Sequence, residues 1–330
     1  MDRTGLSGAT NRRDLAAELQ AGSVRGLARA ITLVEQRDPS VRHVLESIGE
    51  GAARPVVLGV TGAPGTGKST LVDAVVGLLR GRDARVAVLA VDPNSPYSGG
   101  AILGDRIRMQ RHALDPGVYI RSMGARGHLG GLSVASREAI RLLGAFGFGW
   151  VILETVGVGQ SELEVAAIAD TTVVVLTPGS GDGVQMIKAG IMEIADVFVV
   201  NKADMSGAQK TVQEIRSMLH MGPKVAWRPP IVLTVASRGE GAEEVLEAVA
   251  GHREHLEISG EGVRRAEARL KDEAADLVGE WARAEARHLL DSDPGLAATL
   301  LRDRMPYAAA EEILTRRAGR LVPDAAKTDP

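Results

Sequence analysis

The sequence predicts an α/β fold: a mostly parallel sheet covered by helices on both faces, with helical extensions at its N- and C-terminal ends. Three observations predict it. Between Pro55 and about Leu256, short runs of Val, Ile and Leu alternate with longer segments of helical periodicity. These runs are nearly continuous rather than alternating with polar residues, which is the pattern of strands buried on both faces. Outside that region, residues 1–54 and 259–330 carry helical periodicity and no strand-like run. The expected organisation is therefore an N-terminal helical extension (1–54), an α/β domain (55–258) and a C-terminal helical arm (259–330).

Composition narrows the class. At 330 residues the chain has room for two domains, or for one large α/β domain with helical additions. Aromatics make up only 3%, so Val, Leu, Ile and Ala must build the core. A net charge of −3 argues against a general grip on nucleic acid. Without cysteine, disulfides, thiolate metal sites and cysteine nucleophiles are excluded. No segment reaches the roughly 18 uncharged apolar residues that span a bilayer. Met1-Asp2-Arg3-Thr4 lacks the layout of a secretion signal, so a soluble cytoplasmic protein is expected.

Residues 1–50 read as helices. Leu15, Leu19, Val24, Leu27, Ala28, Ile31 and Val34 recur at mostly three- and four-residue steps, and Val41, Val44, Leu45 and Ile48 resume after Asp38-Pro39-Ser40. The strands expected next are Val56–Val60, Arg85–Val91, Val118–Arg121, Trp150–Glu154, Thr172–Leu176, Val197–Val200 and Ile231–Val235. Between them helices are expected over Ser69–Arg80, Gly104–His112, Ser133–Phe146, Asp182–Ile194, Gln209–Leu219 and Glu240–Leu256. After Gly260 a long helix, Val263–Leu290, is punctuated by Asp291-Ser292-Asp293-Pro294-Gly295 and followed by Tyr307–Arg317. In a parallel sheet of this kind ligands bind beyond the carboxyl ends of the strands, and the loops that carry chemistry all leave such ends.

The first of these is Gly62-Ala63-Pro64-Gly65-Thr66-Gly67-Lys68-Ser69-Thr70, between a strand and a helix. That context makes the G-x-x-x-x-G-K-[ST] string a phosphate cradle. Glycines let successive N–H groups face the phosphates, and the helix adds its positive dipole end. Lys68 can reach the β- and γ-phosphates, and the Ser69 hydroxyl can hold Mg²⁺. Asp92 ends the next strand, beside the cradle, where a carboxylate can hold Mg²⁺ directly or through water. Beyond it, Asp105 suits either a helix N-cap or a place around the metal, and Arg106 and Arg108 follow.

Glu154 ends Trp150-Val151-Ile152-Leu153 and precedes Thr155-Val156-Gly157-Val158-Gly159-Gln160-Ser161-Glu162. An acidic strand end with a glycine three residues on matches a loop that senses a γ-phosphate through the Gly157 N–H, with Glu in place of the commoner Asp. Asn201-Lys202-Ala203-Asp204 follows another strand. Guanine offers adjacent N1–H and N2–H₂ donors that one carboxylate can accept, so Asp204 would select GTP over ATP. Asn201 and Lys202 would brace that loop and pack on the base, with Ala236-Ser237-Arg238-Gly239 after Ile231–Val235 as a second base-side loop, Ala236 and Ser237 touching the nucleotide. The glycine-rich stretch Thr177–Lys188, with Asp182, Gln185 and Lys188, is either an ordinary connection or a hinge with polar reach.

Taken together, Gly62–Thr70, Val91-Asp92-Pro93, Gly99–Asp105, Glu154–Glu162, Gly181-Asp182, Ile187-Lys188 and Asn201–Asp204 make the chain resemble the MeaB/ArgK family of G-protein chaperones for adenosylcobalamin-dependent acyl-CoA mutases. The likeness runs from about Gly26 to about Leu256 and more loosely into the C-terminal helices. It implies a homodimeric GTPase that binds GTP or GDP with Mg²⁺, hydrolyses GTP slowly alone and faster with its mutase, and gates cobalamin loading, protection and reactivation. It also implies catalytic roles for Lys68, Asp92, Asp105 and Glu154, metal ligation by Ser69, Asp92 and Glu154, and three switches: Val91–Arg108, Thr155–Glu162 with Gln160, and Thr177–Lys188. Arg108, Gln160, Asp182, Gln185 and Lys188 would signal to the partner. The sequence departs from the family pattern at Asn94, Pro96 and Tyr97, at Arg106-Ile107-Arg108 and at Gly183–Met186, all within candidate switches, which bears on which mutase is the partner. Three other readings stand beside this one. A nickel-inserting GTPase wants Cys and His ligands, but there is no Cys and the seven His are scattered. A small-molecule P-loop kinase needs an acceptor pocket and a lid and has no need of Asp204, and a module that holds GTP without hydrolysing it would show no turnover.

Overall fold

Seven short apolar runs form one sheet: β1 (Val56–Thr61), β2 (Val86–Asp92), β3 (Val118–Gly124), β4 (Trp150–Thr155), β5 (Thr171–Leu176), β6 (Val197–Asn201) and β7 (Ile231–Thr234). The computed structural model describes residues 15–38, 40–49, 53–92, 110–112, 114–124, 131–155, 161–179, 193–222, 225–303 and 306–321. The strand order is β3-β2-β4-β1-β5-β6-β7, and every neighbouring pair is parallel. The sheet expected to be mostly parallel is parallel throughout these strands. It satisfies the backbone groups of strands whose side chains are buried on both sides.

The helices are α1 (Val24–Glu35), α2 (Ser40–Gly49), α3 (Lys68–Gly81), α4 (Gly131–Ala145), α5 (Ser161–Ile168), α6 (Ala208–Met221), α7 (Ala242–Ile258), α8 (Glu261–Ser292), α9 (Pro294–Asp303) and α10 (Pro306–Leu321). Residues 15–20 are also helical. Alternate strand residues face two layers. Val57, Ala87, Leu89, Val151 and Leu153 pack with α1, α2, α4 and α5. Leu58, Val60, Val88, Ile152, Val173 and Val175 pack with α3 and α7. Val174, Leu176, Phe198 and Val200 pack with α6. Gly59 in β1 lets α5 come close, since a Cβ there would lie 2.8 Å from Val165 Cγ1 and 2.9 Å from Ala169 Cβ.

Three elements differ from expectation. The buried stripe of α1 is Leu27, Ala30, Ile31 and Val34, while Val24 is exposed, because Ser23 caps the helix through Gly26 N–H and leaves Val24 in the open first turn. The helix α5 begins inside the string read as a continuous loop through Glu162. The punctuation at 291–295 is a helix start: Asp293 Oδ1 accepts from Gly295 and Leu296 N–H at 2.8 and 3.3 Å, and Pro294 takes the first helical position of α9. Of the helix expected over Gly104–His112, the described residues Gln110–His112 form a 3₁₀ turn. The helix expected over Asp182–Ile194 falls almost wholly outside the described residues. The chain forms two compact units, Met1–Arg269 and Leu270–Pro330, and in the second unit α9 and α10 bury Leu296, Ala309 and Ile313. Among the described residues no helix is long and apolar enough to cross a membrane.

At the amino edge of the sheet, polar side chains fix the start of α8. Asp170 accepts from Val57 N–H and pairs with Arg54 and Arg269 at 2.8 and 3.0 Å. Asp196 accepts from Thr172 N–H and pairs with Arg265 at 3.2 Å. Beside it the wholly buried His252 has Nδ1 2.9 Å from Thr171 Oγ1 and Nε2 3.2 Å from Asp196 Oδ1. Burial pushes the His252 imidazole below its ordinary range, with Asp196 acting in the opposite sense. The unfolded chain therefore takes up this proton more readily than the folded one. The stability that the neutral ring contributes is complete above the ordinary imidazole value of about 6.5 and is lost as pH falls. In urea titrations, unfolding free energy should decline below about pH 6.5 by at most about 1.4 kcal/mol per pH unit from this group. The decline should be shallower in His252→Gln, and an identical slope in the two proteins would assign the acid sensitivity to other groups.

Candidate nucleotide-binding site

The strand order places β1 at the centre, with β4, β2 and β3 on one side and β5, β6 and β7 on the other. Loops leaving the carboxyl ends on the two sides part at β1 and open a crevice. The glycine loop begins there. Gly62 has φ +141°, and a Cβ would lie 2.2 Å from Val175 O, so the chain can leave β1 alongside β5 only without a side chain. Gly67 has φ +90° and stands immediately before α3, where a Cβ would lie 2.3 Å from Asn201 Nδ2. The glycines thus leave room for backbone N–H groups to line the concavity at the start of α3.

Helix α3 brings the reactive side chains in at its first turn. Lys68 is 7% exposed, and its ammonium donates to Gly62 O at 2.8 Å and Ala63 O at 3.1 Å, drawn over the loop like a strap. Thr66 Oγ1 donates to Ala63 O at 2.8 Å and closes the turn. Ser69 Oγ donates to Glu154 Oε1. That contact follows from register, since Val60 pairs with Glu154 and the carboxylate leaves β4 level with the root of the loop. Glu154 is 3% exposed, so a charge at this point is held by neighbours and not by bulk water. One position on, Thr61 and Thr155 hydroxyls meet at 3.2 Å and join the two strand ends.

The side expected to meet the base is built around Asn201. Its Nδ2 donates to Thr66 O at 2.8 Å, and its Oδ1 accepts from Thr234 Oγ1 and Ala236 N–H, both at 3.0 Å. One buried amide thereby joins the phosphate loop, the end of β7 and the loop after it. Lys202, in the left-handed region at φ +56°, donates from Nζ to Gly65 O at 2.8 Å. Ala203 N–H donates to Thr234 O at 3.0 Å, which seats the loop carrying Asp204. Asp204 is half-exposed and lies 3.6 Å from Arg238 Nη2. Ala236 is buried and Ser237 exposed on the 3₁₀ turn Ala236–Arg238.

Of the residues singled out in the sequence, Gly62–Thr70, Glu154, Asn201, Lys202, Asp204, Ala236 and Ser237 therefore gather at one edge of the sheet. Asp92 ends β2 at the same edge, its side chain outside the described residues. Asp105, Arg108, Gly157, Gln160, Asp182, Gln185 and Lys188 also lie outside them. Sequence reasoning passed over Thr61 and Thr234, and it gave Thr155 and Arg238 no role of their own within the loops that contain them. A threonine closing a Val-rich strand directly before a chemical loop was the available signal for Thr61 and Thr155. The donor set suits the expected ligands: a hydroxyl beside a carboxylate offers the oxygen ligands that Mg²⁺ takes, and an ammonium over a glycine loop suits phosphate.

Fold and loop together define a P-loop nucleotide-binding protein. The chain belongs to the family described as methylmalonyl-CoA mutase-associated GTPase MeaB, which matches residues 27–288. A Pyrococcus horikoshii relative is 43% identical over 93% of this chain and 98% of its own length. GTPase ArgK of Escherichia coli is 39% identical over 81% of each chain. The crystal structure of an LAO/AO transport system kinase is similar with a TM-score of 0.66 and 27% identity, over 94% of this chain and 98% of that one. At the level of its family the chain is thus a GTPase that binds guanine nucleotides.

Asn201→Ala should cost about 2–3 kcal/mol of unfolding free energy, because three buried partners lose their bonds at about 1 kcal/mol each. Urea denaturation measures this, and a loss under 1 kcal/mol would show the loops to be held without that amide. Gly67→Ala should weaken GTP binding at least about tenfold, through strain at φ +90° and the clash with Asn201.

Proposed function

We propose that this protein is a GTP-dependent chaperone that gates adenosylcobalamin loading, protection and reactivation of an acyl-CoA mutase. The observation that carries the reading is the contact of Ser69 with the buried Glu154 beside Lys68, at the root of the glycine loop. It supports hydrolysis by positioning and charge neutralisation, the main resources of phosphoryl transfer. Lys68 neutralises charge on the β- and γ-phosphates, the loop N–H groups hold them in line, and Ser69, Asp92 and Glu154 hold Mg²⁺. Bound there, Mg²⁺ would supply further neutralisation of the phosphates' negative charge. Asp92, Asp105 and Glu154 serve the attacking water, Gly157 N–H meets the γ-phosphate, and Asp204 accepts from guanine with Ala236 and Ser237 on the same side.

The family's description, with its association to methylmalonyl-CoA mutase, supports the partner class. Arg108, Gln160, Asp182, Gln185 and Lys188 carry nucleotide state to that partner. We assign residues 1–54 to an N-terminal extension, 55–258 to the GTPase domain and 259–330 to an arm that makes a homodimer in the cytoplasm. Neither nucleic acid nor a membrane is a partner in this reading.

Phosphate release from GTP, with and without candidate adenosylcobalamin-dependent mutases, tests the whole. Turnover should be slow alone, at least about tenfold faster with the cognate mutase, and negligible with ATP. No acceleration by any such mutase would remove the chaperone role and leave the GTPase. Lys68→Ala should abolish tight GTP binding in calorimetry. Asp204→Asn should shift preference towards xanthosine nucleotides, which present the complementary acceptor. Lys188→Ala should keep intrinsic hydrolysis and blunt the stimulation, and full stimulation would show that Lys188 carries no signal.

A further inference from the structure

The loop after β7 is a tight reversal whose one long cationic side chain reaches the guanine-side carboxylate. Arg238 N–H donates to Val235 O at 2.8 Å, Gly239 N–H to Ala236 O at 3.1 Å, and Val235 N–H to Glu240 O at 3.0 Å. Gly241, at φ +82°, could not carry a Cβ, which would lie 2.2 Å from Leu233 O. Asn201 Oδ1 holds the first residue of the turn, Ala236, from the β6 side. From this fixed base Arg238 Nε lies 3.0 Å from Glu240 Oε1 and Nη2 lies 3.6 Å from Asp204 Oδ2. The loop carrying Asp204 is seated on the same strand end through Ala203 N–H and Thr234 O. Three alternating charges therefore stand in a row on two loops that share one anchor.

We propose that Arg238 is a specificity-determining residue that orients Asp204 towards guanine. This rests on reading Asp204 as the guanine acceptor. A carboxylate accepts both N1–H and N2–H₂ only when its two oxygens face the base edge, and the terminal torsion of an Asp side chain is broad. The guanidinium at Oδ2 restricts that torsion. Glu240 on its other side keeps the guanidinium from swinging away. When a base covers Asp204 and strips its water, the adjacent positive charge offsets part of the desolvation cost. An adenine edge lacks the donor pair, so the same fixed carboxylate gives ADP no return and the arrangement widens discrimination. Exposed ion pairs are worth a factor of about 1.4 to 5, and cover by the base places this one at the upper end, about fivefold.

Calorimetric titration of the full chain with GDP, ADP and XDP tests this in wild type, Arg238→Met, Arg238→Lys and Asp204→Asn. Arg238→Met should weaken GDP about fivefold at low salt while ADP stays within about twofold, and Arg238→Lys should recover most of the loss. The difference should shrink at about 1 M salt, where the screening length is about 3 Å. Equal weakening of GDP and ADP in Arg238→Met would make Arg238 a general support of the loop and overturn its role in specificity. So would an unchanged GDP-to-ADP ratio in Arg238→Met alongside lost guanine preference in Asp204→Asn, and the role of Asp204 would then stand. Guanine preference retained in Asp204→Asn would overturn both.

Discussion

The side-chain amide of Asn201 is the constraint on which the site depends. In the proposed reading phosphate and base must be gripped at a fixed separation, yet the loops assigned to them leave different strands: β1 for the phosphates, β6 and β7 for the base. Backbone pairing cannot fix that separation, because the loops lie beyond the ladder. Asn201 is 2% exposed and engages Thr66 O, Thr234 Oγ1 and Ala236 N–H at once. Lys202 adds a second tie to Gly65 O. An amide suits this place because it donates and accepts in one plane, whereas an aspartate would set a carboxylate against the Thr66 carbonyl. The clash that a Cβ on Gly67 would make with Asn201 Nδ2 is the cost of bringing the tie so close, and glycine is the residue that permits it.

Register explains the side proposed for the metal in the same way. Because β4 inserts between β1 and β2, the parallel pairing of Val60 with Glu154 carries that carboxylate to Ser69, although the two residues are far apart in sequence. The Thr61–Thr155 contact repeats the register one residue further on. A shift of one residue in β4 would turn Glu154 to the other face of the sheet and set an unpartnered charge among Leu89, Val91 and Val165. The charges in the cleft thus also police the strand pairing that creates it.

How much of this the sequence carried depends on distance along the chain. The inner strands were legible because they are buried on both faces and read as unbroken apolar runs, as in Val173-Val174-Val175 and Val197–Val200, and the partly buried edge strands β3 and β7 still begin with short apolar runs. Lys68, Ser69, Glu154 and Asn201 were legible because each stands at a strand end or helix start. The short α5 was not, since eight residues with apolar side chains around most of the helix give no clear stripe. The start of α9 was hidden because Asp-Pro-Gly reads equally as a break and as a cap. Contacts such as Arg238 with Asp204, His252 with Asp196, or Thr61 with Thr155 require the strand order, and periodicity does not supply that. His252 in particular reads as one more polar position on an exposed helix until β5 and β6 are seen beneath it.

In the proposed reading the two halves of the cleft solve different recognition problems with different chemistry. Phosphates are read by backbone N–H groups, so that half must have little side chain, and rigidity there comes from the helix that follows and from Lys68 strapped across the loop. A base is read by side chains on its edge, so that half must carry long polar groups and hold each in place with another. This is why Thr234, Lys202, Arg238 and Glu240 cluster around Asn201 and Asp204, whereas the phosphate half shows Gly62, Gly65 and Gly67. It also fixes where variation is tolerated. A methyl group added at Gly62 or Gly67 meets backbone or a buried amide and has nowhere to go, and at Gly65 the left-handed φ of +78° disfavours a side chain although the space is open. A change on the rim of the base half alters orientation and charge and leaves the fold alone, so selectivity for the base can drift while the phosphate cradle stays fixed.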